Sequence, residues 1–82
     1  MFSVPITFFG PAKDFVGQES ATAELADGDS VAQLRAILGE RFPRLARRLP
    51  TMRIAVNEEF VSDDRRLLAG DTAALIPPVS GG

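Results

Sequence analysis

Residues 30–43 read SVAQLRAILGERFP, and this stretch organises the rest of the chain. Val31, Leu34, Ile37, Leu38 and Phe42 recur at the three- and four-residue spacing of one helical face. Ser30 and Gln33 have the spacing of a capping box, in which each satisfies a free backbone N–H of the first turn. Pro43 disfavours helical dihedrals at the residue before it, so the helix stops near Phe42. Arg35 and Arg41 fall off the apolar stripe. One amphipathic helix needs one apolar surface to cover, and the flanking sequence supplies it as strands.

On the N-terminal side, Phe2 to Phe9 alternates, with Val4, Ile6 and Phe8 on one face and Ser3, Thr7 and Phe9 on the other. Pro5 has no backbone donor, so the ladder is not expected to need one there. Gly10-Pro11 ends the strand, Ala12 to Val16 forms one helical turn, and Gly17 closes it. Ala21, Ala23 and Leu25 alternate as a second strand, forming a hairpin with the first. Asp27-Gly28-Asp29 turns into the helix.

On the C-terminal side, Leu45, Ala46 and Leu49 suggest a short turn ended by Pro50. Met52 to Val56 reads as a third strand, Asn57-Glu58-Glu59 as a tight connection, and Phe60-Val61-Ser62 as a fourth strand. Asp63 to Leu68 is expected to be an irregular turn that places Leu67 and Leu68 in the core. Ala69-Gly70-Asp71 turns again, and Thr72 to Ile76 is the last strand. The class is α+β: a mixed sheet of about five strands under one main helix, in β-grasp order, with the last strand beside the first. The expected division is a β-grasp domain over 1–76 and a flexible tail over 77–82.

Composition removes many functions. The 82 residues include no Cys, His, Trp or Tyr. Thiolate or imidazole zinc sites, Ser-His-Asp triads, Cys-His pairs and disulfides are therefore impossible. The net charge of −2 gives no polyanion-binding footprint. No apolar run approaches a membrane span and no secretory signal opens the chain, so a cytoplasmic protein without nucleic-acid or membrane partners is expected. Charge is uneven: residues 1–29 carry −4, residues 30–49 carry +4, and residues 50–82 carry −2. The basic segment reads as a solvated helical face or as a docking face for an acidic partner.

Catalytic candidates are few. Glu58-Glu59 and Asp63-Asp64 fall in turn-like segments, and sequence neighbours do not by themselves make an acid/base pair. Lys13, the only lysine, lies beside Asp14 and reads as a surface residue. The informative feature is PPVSGG at 77–82. Pro77-Pro78 forbids further ladder pairing and favours an extended path. Gly81-Gly82 lacks side chains and can adopt dihedrals closed to other residues, so it can thread a narrow channel and present a carboxylate. Six extended residues reach at most about 20 Å, a distance suited to a buried site on a partner.

Four pieces carry a family resemblance: FFGPAKDFVG at 8–17, the capped helix from Ser30, AVNEEFVSDD at 55–64, and LLAGDTAALIPPVSGG at 67–82. Over nearly its whole length the chain resembles the small subunits of molybdopterin synthases, within the ubiquitin-like sulfur-carrier group. The resemblance implies a non-catalytic carrier whose Gly82 carboxylate is adenylated by an ATP-dependent, E1-like activating enzyme. A sulfur donor protein then converts it to a thiocarboxylate. The tail, passing through Gly81, delivers sulfur to the cyclic pterin precursor in the large synthase subunit. No bound cofactor or metal is implied; ATP belongs to the activating enzyme.

Alternation places Phe9, Phe60 and Ile76 on the outer side of the sheet, and the resemblance puts the large-subunit interface there, continuing into Pro77, Pro78 and Val79. The alternatives are a carrier for another acceptor (thiazole, cysteine or tRNA thiolation), a protein modifier that conjugates through Gly82, and a β-grasp binding module with an incidental tail.

Overall fold

The computed structural model describes residues 1–78; the expectations that fall on Val79, Ser80, Gly81 and Gly82 lie outside the described residues. Five strands form one sheet: β1 (Phe2–Phe8), β2 (Ser20–Leu25), β3 (Arg53–Val56), β4 (Glu59–Phe60) and β5 (Ala73–Ile76). Their order across the sheet is β2-β1-β5-β3-β4. β1 and β2 pair antiparallel from Phe2↔Leu25 to Thr7↔Ser20. β5 lies parallel to β1, with Ile6 opposite Ala73 and Phe8 opposite Leu75. This is the β-grasp arrangement, with the last strand beside the first as the element order requires.

Three helices join the strands: α1 (Pro11–Val16), α2 (Val31–Arg41) and α3 (Pro43–Ala46), followed by a 3-10 turn at Leu49–Thr51. Pro50 lies inside that turn rather than ending the segment, because proline suits the first positions of a helical turn, where no N–H is needed. α2 starts where the capping pattern places it. Gln33 Oε1 accepts from the Ser30 N–H at 2.7 Å and from its hydroxyl at 2.5 Å. The next two free donors are met from elsewhere: the Val31 and Ala32 N–H groups donate to the carbonyls of Arg65 and Asp63, each at 2.9 Å.

Val31, Leu34 and Leu38 are fully buried against Val4, Ile6, Phe8, Ala23, Leu25, Ile54, Val56 and Leu75, while Ile37 and Phe42 pack partly buried against this core. Phe8 meets Phe42 edge-on, centroids 5.8 Å apart. Pro5 costs the sheet nothing. The Phe8 N–H donates toward β2, to Glu19, and the Phe9 N–H toward β5, to Leu75. Odd-numbered donors of β1 therefore face β5, whose register begins only at Ile6.

Two further expectations are corrected. Leu67 is buried, but Leu68 is 64% exposed, because the turn that closes on Asp71 takes its N–H and carbonyl and leaves its side chain outside. β4 is two residues, not three. After one further bond, Val61 N–H to Ile54, the chain leaves the sheet so that residues 63–65 can reach the start of α2.

Candidate functional site

The outer face of the sheet follows from the register. Val4, Ile6 and Phe8 of β1, Ala73 and Leu75 of β5, and Ile54 and Val56 of β3 point toward the helices. Their alternates point away. One outer row runs Thr7, Ala74, Ala55, Phe60, and the next carries Ile76 and Arg53. Phe9, whose N–H donates to Leu75, extends the second row beyond the end of β1. Phe9 is 49% exposed and Phe60 51% exposed, while Ile76 is half-buried. Alanines between the two phenylalanines leave a cleft lined by Thr7, Phe9, Ala55, Glu58 and Ala74. The expected face of Phe9, Phe60 and Ile76 is therefore assembled as one surface.

Sequence reasoning missed Arg53. Its guanidinium lies 3.8 Å from the centroid of the Phe60 ring, on the same face and opposite Ile76. The signal was present: alternation through Arg53, Ile54, Ala55 and Val56 puts Arg53 on the side of Phe60 once Ile54 is inward.

The hairpin that carries Phe60 is locked to the start of β5. Asn57 and Glu58 form a two-residue turn with φ of 52° and 69°, the left-handed conformation that tight hairpins require. The Asn57 amide donates to Asp71 Oδ1 at 2.8 Å, and its Oδ1 accepts from the Thr72 N–H at 3.1 Å. Asp71 Oδ2 accepts from Arg65 at 2.6 Å and from the Leu68 N–H at 2.8 Å. Burial pushes the Asp71 carboxyl up, but the Arg65 and Leu68 hydrogen bonds, Asn57 and the Arg65 charge hold it below the usual carboxylate range.

β5 ends at Ile76 and runs into Pro77 and Pro78, the root of the tail. Pro77 is half-buried and Pro78 exposed. Gly10 packs beside Pro77 with φ of 52°, a backbone conformation in which a side chain would be strained, although a Cβ there would make only an ordinary 3.6 Å contact with Pro77 Cγ. Pro77 and Pro78 also line a cleft of about 190 Å³ with Pro11, Phe15, Arg48 and Met52. Val79, Gly81 and Gly82, the other expected site residues, lie outside the described residues.

The remaining candidates are dispersed. Glu58 and Glu59 are exposed at the hairpin, and Lys13 is exposed on α1. Asp63 pairs with Arg35 at 3.0 Å, and Asp64 accepts from the Ser62 hydroxyl. The basic segment is only partly a solvated face. Arg35 turns inward to the carbonyls of Leu49 and Met52, at 2.5 and 2.9 Å, and Arg41 donates to the Thr22 carbonyl at 2.6 Å. Among the described residues, no helix is long and apolar enough to cross a membrane.

The ThiS family model matches residues 6–82. The molybdopterin synthase sulfur carrier subunit of Caenorhabditis briggsae is 38% identical, with both chains covered completely. A putative molybdopterin converting factor subunit 1 from Pyrococcus furiosus superposes with a TM-score of 0.87 at 25% identity, covering 96% of this chain and all of that one. A chain from the complex of subunits 1 and 2 of the Helicobacter pylori molybdopterin-converting factor superposes with a TM-score of 0.73 at 32% identity, covering 99% of this chain and all of that one. Sequence and fold agree over essentially the whole length: the chain belongs to the ThiS family and is similar from end to end to a molybdopterin synthase sulfur carrier subunit.

Proposed function

We propose that this chain is the sulfur-carrier subunit of a molybdopterin synthase. The observation that carries the reading is the continuity of β5. One strand contributes Ile76 to an exposed apolar face and passes directly into Pro77-Pro78. A partner that covers the face therefore receives whatever follows the prolines in a defined direction. The full-length similarity to a sulfur carrier subunit, and the solved subunit 1–subunit 2 complex of a relative, support a large synthase subunit as that partner.

The chemistry follows from the inventory. A chain without Cys carries sulfur at a carboxyl group, and one without His leaves acid/base work to its partners. An ATP-dependent activating enzyme joins the Gly82 carboxylate to AMP and releases pyrophosphate. A donor protein's persulfide attacks the acyl carbon, AMP leaves with the bonding electron pair, and a thiol cleaves the S–S bond of the resulting acyl disulfide, which releases the thiocarboxylate and leaves a donor disulfide. The large subunit then directs that sulfur onto the cyclic pterin precursor. ATP is consumed on the activating enzyme, and this chain holds no cofactor of its own. On this reading the steps take place in the cytoplasm.

Intact mass spectrometry tests the reading. After incubation with activating enzyme, ATP and sulfur donor, the wild-type chain gains the mass difference of sulfur for oxygen, and with the large subunit it converts the precursor. An alanine added after Gly82 advances the terminus by about 3.3–3.6 Å. A 1 Å misplacement already costs about 100-fold in rate, so the extended chain should neither load nor transfer. Equal loading and transfer by the extended chain would overturn the carrier reading. Wild-type loading without precursor conversion would redirect it to another sulfur acceptor.

A further inference from the structure

We propose that Arg48 and Arg53 form a cationic collar at the root of the tail, and that it pairs with carboxylates at the mouth of the partner channel that takes the tail. The proposal deepens the carrier reading and rests on it.

Charge patterning gives the first support. Residues 41–57 contain five arginines and no acidic residue, in a chain whose net charge is −2. The fold then brings two of the five to the point where β5 ends. Arg53 is in register with Ile76, the last residue of β5. Arg48 lines the cleft formed with Pro77 and Pro78.

Both side chains are held, but not by anions. Arg53 lies over Phe60 at 3.8 Å from the ring centroid, and Arg48 over Phe15 at 4.9 Å. Arg41 also lies over a ring, Phe42, at 5.2 Å, but like Arg35 and Arg65 it directs its fork at a backbone carbonyl or carboxylate. The ion pairs among the described residues are Arg35–Asp63 and Arg65–Asp71, so neither collar arginine has a carboxylate partner among those residues. A guanidinium against an aromatic ring keeps in-plane N–H donors available for a planar acceptor. Its orientation is fixed before binding, which lowers the entropy that docking must overcome.

Desolvation identifies the partner's chemistry. A protein that covers Phe60 and Ile76 also removes water from Arg53. A charge buried without a counter-ion is strongly unfavourable, whereas a carboxylate matches the fork with two parallel hydrogen bonds. The partner surface around the channel is therefore acidic where this chain is basic, and the pairing fixes the rotation at which the tail enters.

The test measures affinity for the synthase large subunit at about 50 and about 300 mM salt, where screening lengths differ more than twofold. The variant Arg48→Leu/Arg53→Leu keeps apolar cover on both rings and removes both charges. It should bind at least about tenfold more weakly at low salt, with the gap narrowing at high salt. Arg48→Lys/Arg53→Lys should recover part of the loss, and thermal unfolding should show both variants folded. A leucine variant that binds as tightly as wild type at both salt concentrations overturns the collar. If binding is also lost in Phe60→Asp, the face survives and only the collar falls. Absence of wild-type binding to the large subunit overturns the carrier reading and the collar with it.

Discussion

At Asp71, a buried carboxylate stays charged because its surroundings outweigh the cost of burial. The residue is 7% exposed, and Arg65, Leu68 and Asn57 all donate to its carboxylate. The folded pKa lies below the ordinary 3.8, so at acid pH the unfolded chain binds more protons than the folded one. The stabilisation is complete above the unfolded value and is lost as pH falls through the folded one. Asp71→Asn should cost about 1–3 kcal/mol at neutral pH, by weakening the charge-assisted bond to Arg65 and leaving buried donors poorly matched. Urea unfolding at a series of pH values checks this. The difference between wild type and Asp71→Asn should be constant at neutral pH and shrink as pH falls below about 4. A difference that persists unchanged in acid would mean that the ionised carboxylate is not what holds the turn.

α2 separates a helix cap from a packed core. Ser30→Ala removes one half of a capping box, but Val31 and Ala32 keep their carbonyl partners on Arg65 and Asp63. The cost should fall near the lower end of the usual range, about 0.5–1 kcal/mol. Leu34 is fully buried, and Leu34→Ala should cost about 2–5 kcal/mol through the cavity it leaves. Denaturant midpoints of the two variants rank these effects directly, and equal losses would refute the division. The same element shows what was legible in the sequence. The capping pair, the apolar spacing and Pro43 fixed α2 from local chemistry alone, and alternation fixed the inward faces of β1, β2 and β5. The long-range devices were not legible. Nothing local to Ser62 shows that the chain leaves β4 to cap α2, and nothing local to Leu68 shows that the Asp71 turn ejects it. Arg53 is a different case: alternation already placed it beside Phe60, but a search for apolar residues passed over the charge between them.

For the whole molecule, the two sides of the sheet have separate tasks. The inner side holds the core, and the outer side carries Phe9, Phe60 and Ile76 with small alanines between them. Large apolar side chains gathered on an outer face mark an interaction surface. Phe60 sits on the two-residue edge strand β4, exposed by half, and takes no part in the core. Phe60→Asp should therefore leave thermal unfolding nearly unchanged, since surface substitutions usually fall within about 0.5 kcal/mol. It should weaken binding to the large subunit by about 2 kcal/mol or more, roughly 30-fold in Kd, because an exposed aromatic anchor is replaced by a charge that must be desolvated. Arg53 makes the direction of the change informative. An aspartate at position 60 can attract the guanidinium that now stacks on the ring, so the variant would remove the anchor and occupy the collar together. Titration calorimetry against the large subunit, with Phe60→Ala alongside, separates the two. The loss for Ala reports the ring alone, and any further loss for Asp reports the added carboxylate, through its desolvation and its hold on Arg53. If Phe60→Asp unfolds the isolated chain, the division of labour between the two faces is wrong.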